Sequence, residues 1–432
     1  MRQFRTASSP SKPRLRPLGI LLTIGALFLP SAGMTADLTL EEALVTAVTG
    51  HPSVAARQSE REAAGARLEG AEWGRFPSLS AQHGTDQSGR RFTTARVEQP
   101  LWTGGVITGQ IDGAQAGVRG ADASVVESQQ EIMTRVVAAF SELGRVRARQ
   151  VAAQSNVKEH ERLAALIARR VSSEVSPASD GVLAQARLSQ ARAELTQLEA
   201  LEARARSTLA QAISRDVDGI ELPGQRMLGY PSLSIATDAA LDFSPALRRL
   251  TAEEEAAAAE VTVRRGNTRP KVVARYDRTF GNQSLEGDQF FVAVEYQTGA
   301  GLSSLSSVRE AEARKNATRL AREAARRDLV DGVASDWADM ETLGRQTRDL
   351  RAQVDSTTAV FDSFVRQYAV GRKSWIDVLN AQREAAQARY ALADAEWGAL
   401  RATLRLQLAT GELQAVTLLD RSAQAQAENA SN

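Results

Sequence analysis

The chain runs through one plan twice. His51-Pro52 opens an Ala/Glu/Arg-rich helical pattern that stops at Gly74, with Pro77 beyond it. Ser244-Pro245 opens a second pattern that stops near Gly266, with Pro270 beyond it. Pro52 to Pro245 and Pro77 to Pro270 are the same step of 193 residues. Each second proline is followed by a short polar/apolar alternation, a glycine corner (Gly104-Gly105; Gly299 and Gly301) and a very long Ala/Arg/Gln-rich segment. Further on, the run from Asp180 to Gln185 matches Asp377 to Gln382 at a step of 197. Self-similarity over such a distance predicts a helix, a β-hairpin and two long helices, made twice. The first repeat spans 37–214 and the second 244–413, with strand pairs near 77–102 and 270–297 and long helical hairpins near 104–214 and 303–411. The join at 215–243, rich in Pro, Gly and Asp, reads as a linker with little regular structure. The polar, Ala/Gln/Ser-rich end at 414–432 reads as disordered.

The long segments carry a coiled-coil pattern. Val333, Met340, Thr347, Val354, Phe361 and Tyr368 are seven apart, and Leu343, Leu350, Thr357 and Phe364 make a second stripe three residues on. The first half repeats the pattern more weakly through Met133 and Phe140, and through Val136 and Leu143. Residues 303–370 contain no proline, so a single helix there would be about 100 Å long at ~1.5 Å per residue. A fibrous coiled coil would fit this pattern alone; the strand regions argue against it.

In those regions Val272, Ala274 and Tyr276 share one strand face, and Arg275, Asp277 and Thr279 the other. Phe290, Val292, Val294 and Tyr296 oppose Phe291, Ala293 and Glu295 in the same way. Strands of about 9–11 residues, apolar on one side and charged on the other, suit the wall of a membrane barrel with a wet lumen. Four strands cannot close a barrel, and open edges are not viable in lipid. A membrane reading therefore requires several chains to share one barrel. A soluble β-hairpin is the alternative.

The first 36 residues bear on the compartment. They hold Arg2, Arg5, Lys12, Arg14 and Arg16 with no acid, then an apolar run from Leu18 to Leu29 and small residues up to Ala36. This is the pattern of a secretory signal peptide, and the run is short for the ~20 residues of a spanning helix. The whole chain has 53 Lys+Arg against 52 Asp+Glu, a charge of +1; removing those five basic residues leaves −4. Such a balance does not suit a nucleic-acid binder. Mean hydropathy of −0.28 excludes a bundle of membrane-spanning helices. With no cysteine, the chain has no disulfide, no thiolate metal site and no lipid on an amino-terminal Cys.

Three runs carry a resemblance to a known family: Leu38-Thr39-Leu40-Glu41-Glu42-Ala43 with His51-Pro52, Gln99-Pro100-Leu101-Trp102-Thr103-Gly104-Gly105, and the stretch from Tyr368 to Gln382 that contains Gly371, Trp375 and Asp377. In this order, and with the repeat, the chain resembles the TolC family of bacterial outer-membrane ducts over about 37–413. The resemblance implies a mainly α fold with a small β part. Long antiparallel helical hairpins would form an α-barrel, and four strands per chain would enter a shared, trimeric twelve-stranded transmembrane β-barrel. It implies a homotrimer in the outer membrane of a Gram-negative bacterium, in contact with outer-membrane lipid and extended into the periplasm. Its partners would be a periplasmic adaptor (membrane fusion protein) and an inner-membrane transporter of the ABC type. No catalytic group, cofactor or metal, and no nucleic-acid partner, is expected. The stretches Val175–Asp180 and Tyr296–Ser303 look like the branch that serves type I protein secretion, including adhesin export. A drug or small-molecule efflux duct is the alternative, and a soluble periplasmic coiled-coil adaptor or scaffold is an alternative of another class.

By the same resemblance, Asp377 falls on the acid position of the periplasmic aperture and Asn380 on a second aperture position that is usually acidic. Asp180, Ser179, Tyr368 and Lys373 fall on positions that latch the hairpins shut. Lys373 stands where a planar fork is usual, and lacks bidentate geometry. Glu174 stands where the second half has Gly371. A plainer reading is open for both hairpin ends: Ser374-x-x-Asp377 is a capping box, and Ser176-Pro177 an N-cap followed by Pro. Elsewhere, His160-Glu161 begins a zinc-helix pattern that Ala164 breaks, His51 and His83 have no evident partners, and no phosphate loop or nucleophile elbow occurs.

Overall fold

The computed structural model describes residues 37–420, 422 and 424, apart from 86–88, 222–223, 225–226, 282–286 and 298–302. The signal-peptide region and the corner at Gly299 and Gly301 lie outside the described residues.

The elements run α1 (Leu40–Gly50), α2 (Pro52–Trp73), β1 (Ser78–Thr85), β2 (Arg91–Trp102), α3 (Val106–Ser172) and α4 (Ala178–Ile213), then α5 (Leu233–Phe243), α6 (Pro245–Gly266), β3 (Lys271–Phe280), β4 (Gly287–Glu295), α7 (Ser303–Ala369) and α8 (Trp375–Thr410). Helix lengths repeat residue for residue: 11, 22, 67 and 36 in the first half, and the same in the second.

Local chemistry sets the boundaries. Thr39 caps α1 in a capping box, its Oγ1 accepting from the Glu42 N–H (3.2 Å) while Glu42 Oε2 accepts from the Thr39 N–H (3.3 Å). Pro52 and Pro245 occupy the first turns of α2 and α6, where a missing N–H costs nothing. Gly104 and Gly105 turn the chain from β2 into α3 with φ of 64° and 98°, a region that L side chains avoid.

Each half thus begins with an eleven-residue helix that composition conceals. The expected linker at 215–243 holds α5, capped by Ser232 and buried through Ala236 and Ala240. The expected disordered end also begins too early, because 415–420 is helical and Ala415 and Leu418 join the main core. In both places a few small or apolar residues at helical spacing find a pocket, which outweighs the polar composition around them.

The strands form one antiparallel sheet in the order β1-β2-β3-β4, with a register shift between Pro100 and Trp102. Its central pair, β2 and β3, joins the two repeats. The helices follow the same order next to the sheet: α2 packs on α3, α3 on α6, and α6 on α7. Further away, α4 packs on α3, α3 on α8, and α8 on α7. The two 67-residue helices therefore run through both layers. One edge is α7 throughout, and the other is α2 and then α4.

The main core gathers α1, α3, α4 and α8 around Leu40, Leu44, Phe140, Leu143, Leu209 and Leu404. A second core lies at the hairpin ends around Leu163, Ile167, Phe361, Tyr368, Trp375 and Val378. In the heptad stripe of α7, Val333, Thr347, Phe361 and Tyr368 are buried.

Candidate functional site: the sheet wall and the hairpin ends

The sheet has two chemically opposite faces. Leu79, Val97, Tyr276 and Phe290 stand in register across all four strands, and Val272 and Ala274 pair with Val294 and Val292. This apolar face is bare: Leu79 is 77% exposed, Phe290 72% and Val294 69%. So large a run of exposed aliphatic and aromatic surface is unfavourable in water and suited to lipid. The other face is a charge ladder. Arg96 grips Asp277 with two bonds, Nε to Oδ1 at 2.8 Å and Nη2 to Oδ2 at 2.9 Å. Arg275 reaches Glu98 Oε2 from Nε (3.0 Å) and Glu295 Oε1 from Nη2 (2.6 Å). These side chains pair across neighbouring strands and fit a water-filled interior. Strands β1 and β4 are unpaired on their outer edges among the described residues.

At the far end, the α3/α4 and α7/α8 hairpins turn in the same way. Glu174 and Gly371 both take left-handed backbone, with φ of 57° and 78°. The Val175 N–H closes back on Arg170 O and the Arg372 N–H on Gln367 O, each at 2.9 Å. Glutamate thus adopts in the first turn the conformation that glycine supplies in the second.

Asp377 is the third residue of α8. Its N–H donates to Ser374 Oγ (3.1 Å), and its Oδ2 accepts from the Ser374 hydroxyl (2.8 Å) and N–H (3.1 Å). These bonds, hydroxyl first, with Lys373 nearby, hold its carboxyl below the usual range. Asn380 lies exposed one turn on and accepts from Arg383 Nη2 (3.2 Å).

Tyr368 is buried at the end of α7 against Trp375, with ring centroids 5.4 Å apart, and its hydroxyl meets Ser176 Oγ at 3.2 Å. Lys373 places its ammonium 4.2 Å from the centre of the Phe364 ring. Asp180 and Ser179 sit in the first turn of α4 and make no side-chain hydrogen bond within the chain among the described residues. Of the four expected latch residues, then, one chain brings only Tyr368 against the opposite hairpin, and its partner is Ser176.

The residue that sequence reasoning missed is Arg170. Its Nε donates to Ser176 Oγ (3.3 Å), its Nη1 to Ala369 O of the other hairpin (3.4 Å), and its guanidinium lies 4.8 Å from the centre of the Tyr368 ring. Its guanidinium thus spans from its own hairpin's turn to the last carbonyl of α7. Farther along the same seam, Gln382 Nε2 donates to Asn156 Oδ1 (3.0 Å) where both are buried, and Asp394 accepts from Arg145 (2.9 Å) and Arg149 (3.3 Å).

A sheet with one bare apolar face and two free edges, mounted on helices with free edges of their own, defines a subunit of a shared membrane duct. The family model for outer membrane efflux proteins matches residues 43–215 and 236–412, one match per repeat. The chain therefore belongs to that family, the TolC-type outer-membrane channels. Among solved structures, the outer-membrane channel OprN superposes with a TM-score of 0.78 at 21% identity, covering 86% of this chain and 89% of that one. VceC from Vibrio cholerae gives 0.76 at 16% over 86% and 96%, and the Campylobacter jejuni CmeC channel 0.75 at 12% over 93% and 95%. Comparison with curated proteins finds no significant match. As a member of this family the chain is an outer-membrane channel subunit and not an enzyme, and it works as a homotrimer with a periplasmic adaptor and an inner-membrane transporter.

Proposed function

We propose that this chain forms the exit duct of a type I protein secretion system, closed at its hairpin ends by a polar clasp. The observation that carries the closure is the set of contacts Arg170–Ser176, Arg170–Ala369 and Tyr368–Ser176. Arg170–Ala369 and Tyr368–Ser176 tie the two hairpins side to side, Arg170–Ser176 steadies the first hairpin's own turn, and all three can break and be replaced by water without unfolding a helix. Asp180, Ser179 and Lys373 complete the closure. Asp180 and Ser179 start α4, an edge helix, where a neighbouring protomer supplies the missing partners. Three copies of Asp377 and Asn380 line the aperture, and the ring of three carboxylates favours cations over anions. In planar bilayers Arg170→Ala and Tyr368→Phe raise single-channel conductance above that of the unaltered trimer. Unchanged conductance in both variants removes the clasp.

The cargo reading is supported by the likeness of Val175–Asp180 to secretion ducts, and an ABC transporter is the matching energy source. A second reading, an efflux duct, is favoured by the family model's description. Deleting the gene separates them. Loss of one exported protein with unchanged drug sensitivity supports secretion, and raised drug sensitivity with an unchanged secretome supports efflux.

A further inference from the structure

Between the hairpins, α3 forms the floor of an open groove of about 470 Å³ with α4 and α8 as its walls. Its lining is mainly polar, with Ala191, Ala193, Leu379 and Ala386 as the apolar part. Arg187 comes from the α4 wall and Arg383 from the α8 wall, and neither forms an ion pair among the described residues. Each guanidinium is steadied by an amide on its own helix: Arg187 by Gln190 Oε1 (3.0 Å) and Arg383 by Asn380 Oδ1 (3.2 Å). Most donors of both forks are left unassigned. The groove has one acid, Glu194, and one histidine, His160, which burial and then Arg187 shift toward the neutral form. The charge facing the groove is therefore a net positive one. On the same wall as Arg383, the Tyr390 hydroxyl is buried beside Glu194 and Asn156.

We propose that this groove binds a small dicarboxylate, with one carboxylate on each arginine. The guanidinium fork matches a carboxylate in plane and in bond count. Because the two forks stand on opposite walls, a ligand with an acid at each end engages both, and a monocarboxylate or a compact anion engages one. The site does not depend on which cargo the duct carries.

The test is calorimetric titration of the detergent-solubilised trimer with succinate, acetate and inorganic phosphate. Succinate should bind saturably, about tenfold or more tighter than either of the others. Arg187→Gln and Arg383→Gln should each weaken succinate by about tenfold while the trimer elutes unchanged, and Arg326→Gln, remote from the groove, should leave it alone. Absence of saturable succinate binding overturns the site. So does equal affinity for acetate, tighter binding of phosphate, or full affinity in both arginine variants.

Discussion

Glu174 pays for its place in the first hairpin turn with backbone strain. A non-glycine residue held in the left-handed region costs about 1–2 kcal/mol, and its counterpart Gly371 avoids that cost. Glu174→Gly should therefore raise stability by about 1 kcal/mol per chain, less the entropy that glycine adds to the unfolded state. Denaturant unfolding checks this; a loss would show that the side chain makes a stabilising contact in the trimer. Gly144 is the opposite case. A Cβ there would overlap the Trp397 ring, which is buried between α3 and α8. Gly144→Ala should cost about 1–3 kcal/mol through overpacking, seen as a lower unfolding midpoint. Neither glycine's role was legible in the sequence, and neither was the role of Arg170. Its contact to Ala369 spans 199 residues, and only knowing which hairpin lies alongside reveals it.

At the scale of elements, caps and faces carry the argument. The Ser374–Asp377 box starts α8 whatever else Asp377 does. Ser374→Ala should cost about 1 kcal/mol in stability. Because the folded-state pKa of Asp377 lies below its ordinary value of 3.8, its contribution is present at neutral pH and is lost as pH falls through that lowered value. Unfolding midpoints measured from pH 5 down to 2 should show an acid loss that Asp377→Asn lacks. On the sheet, Val292→Arg puts a charge on the lipid face and should cost about 2–4 kcal/mol near the bilayer middle. Gln289→Arg, on the lumen face, should be tolerated. Folding yield in the outer membrane distinguishes them, and equal yields would refute the assignment of faces. The strands were legible because alternation and flanking prolines mark them. The two eleven-residue helices and the turn at 415–420 were not, because their burial rests on residues such as Ala236, Ala240 and Leu418 that stand out only once the neighbouring helices are in place.

For the whole molecule, the duplicated plan explains why so polar a chain is a membrane protein. Only one face of four short strands meets lipid, while two helices of 67 residues stand in water. A mean hydropathy of −0.28 follows from that division. The same plan leaves strand and helix edges open on both sides of the subunit, and a closed ring of copies is the arrangement that removes them all. The most direct measurement is single-channel recording of the protein extracted from outer membranes with detergent and added to a planar bilayer. A shared barrel predicts discrete, long-lived conductance steps with a preference for cations. Recovery of the protein in the soluble periplasmic fraction, with no conductance when it is added to the bilayer, would contradict it.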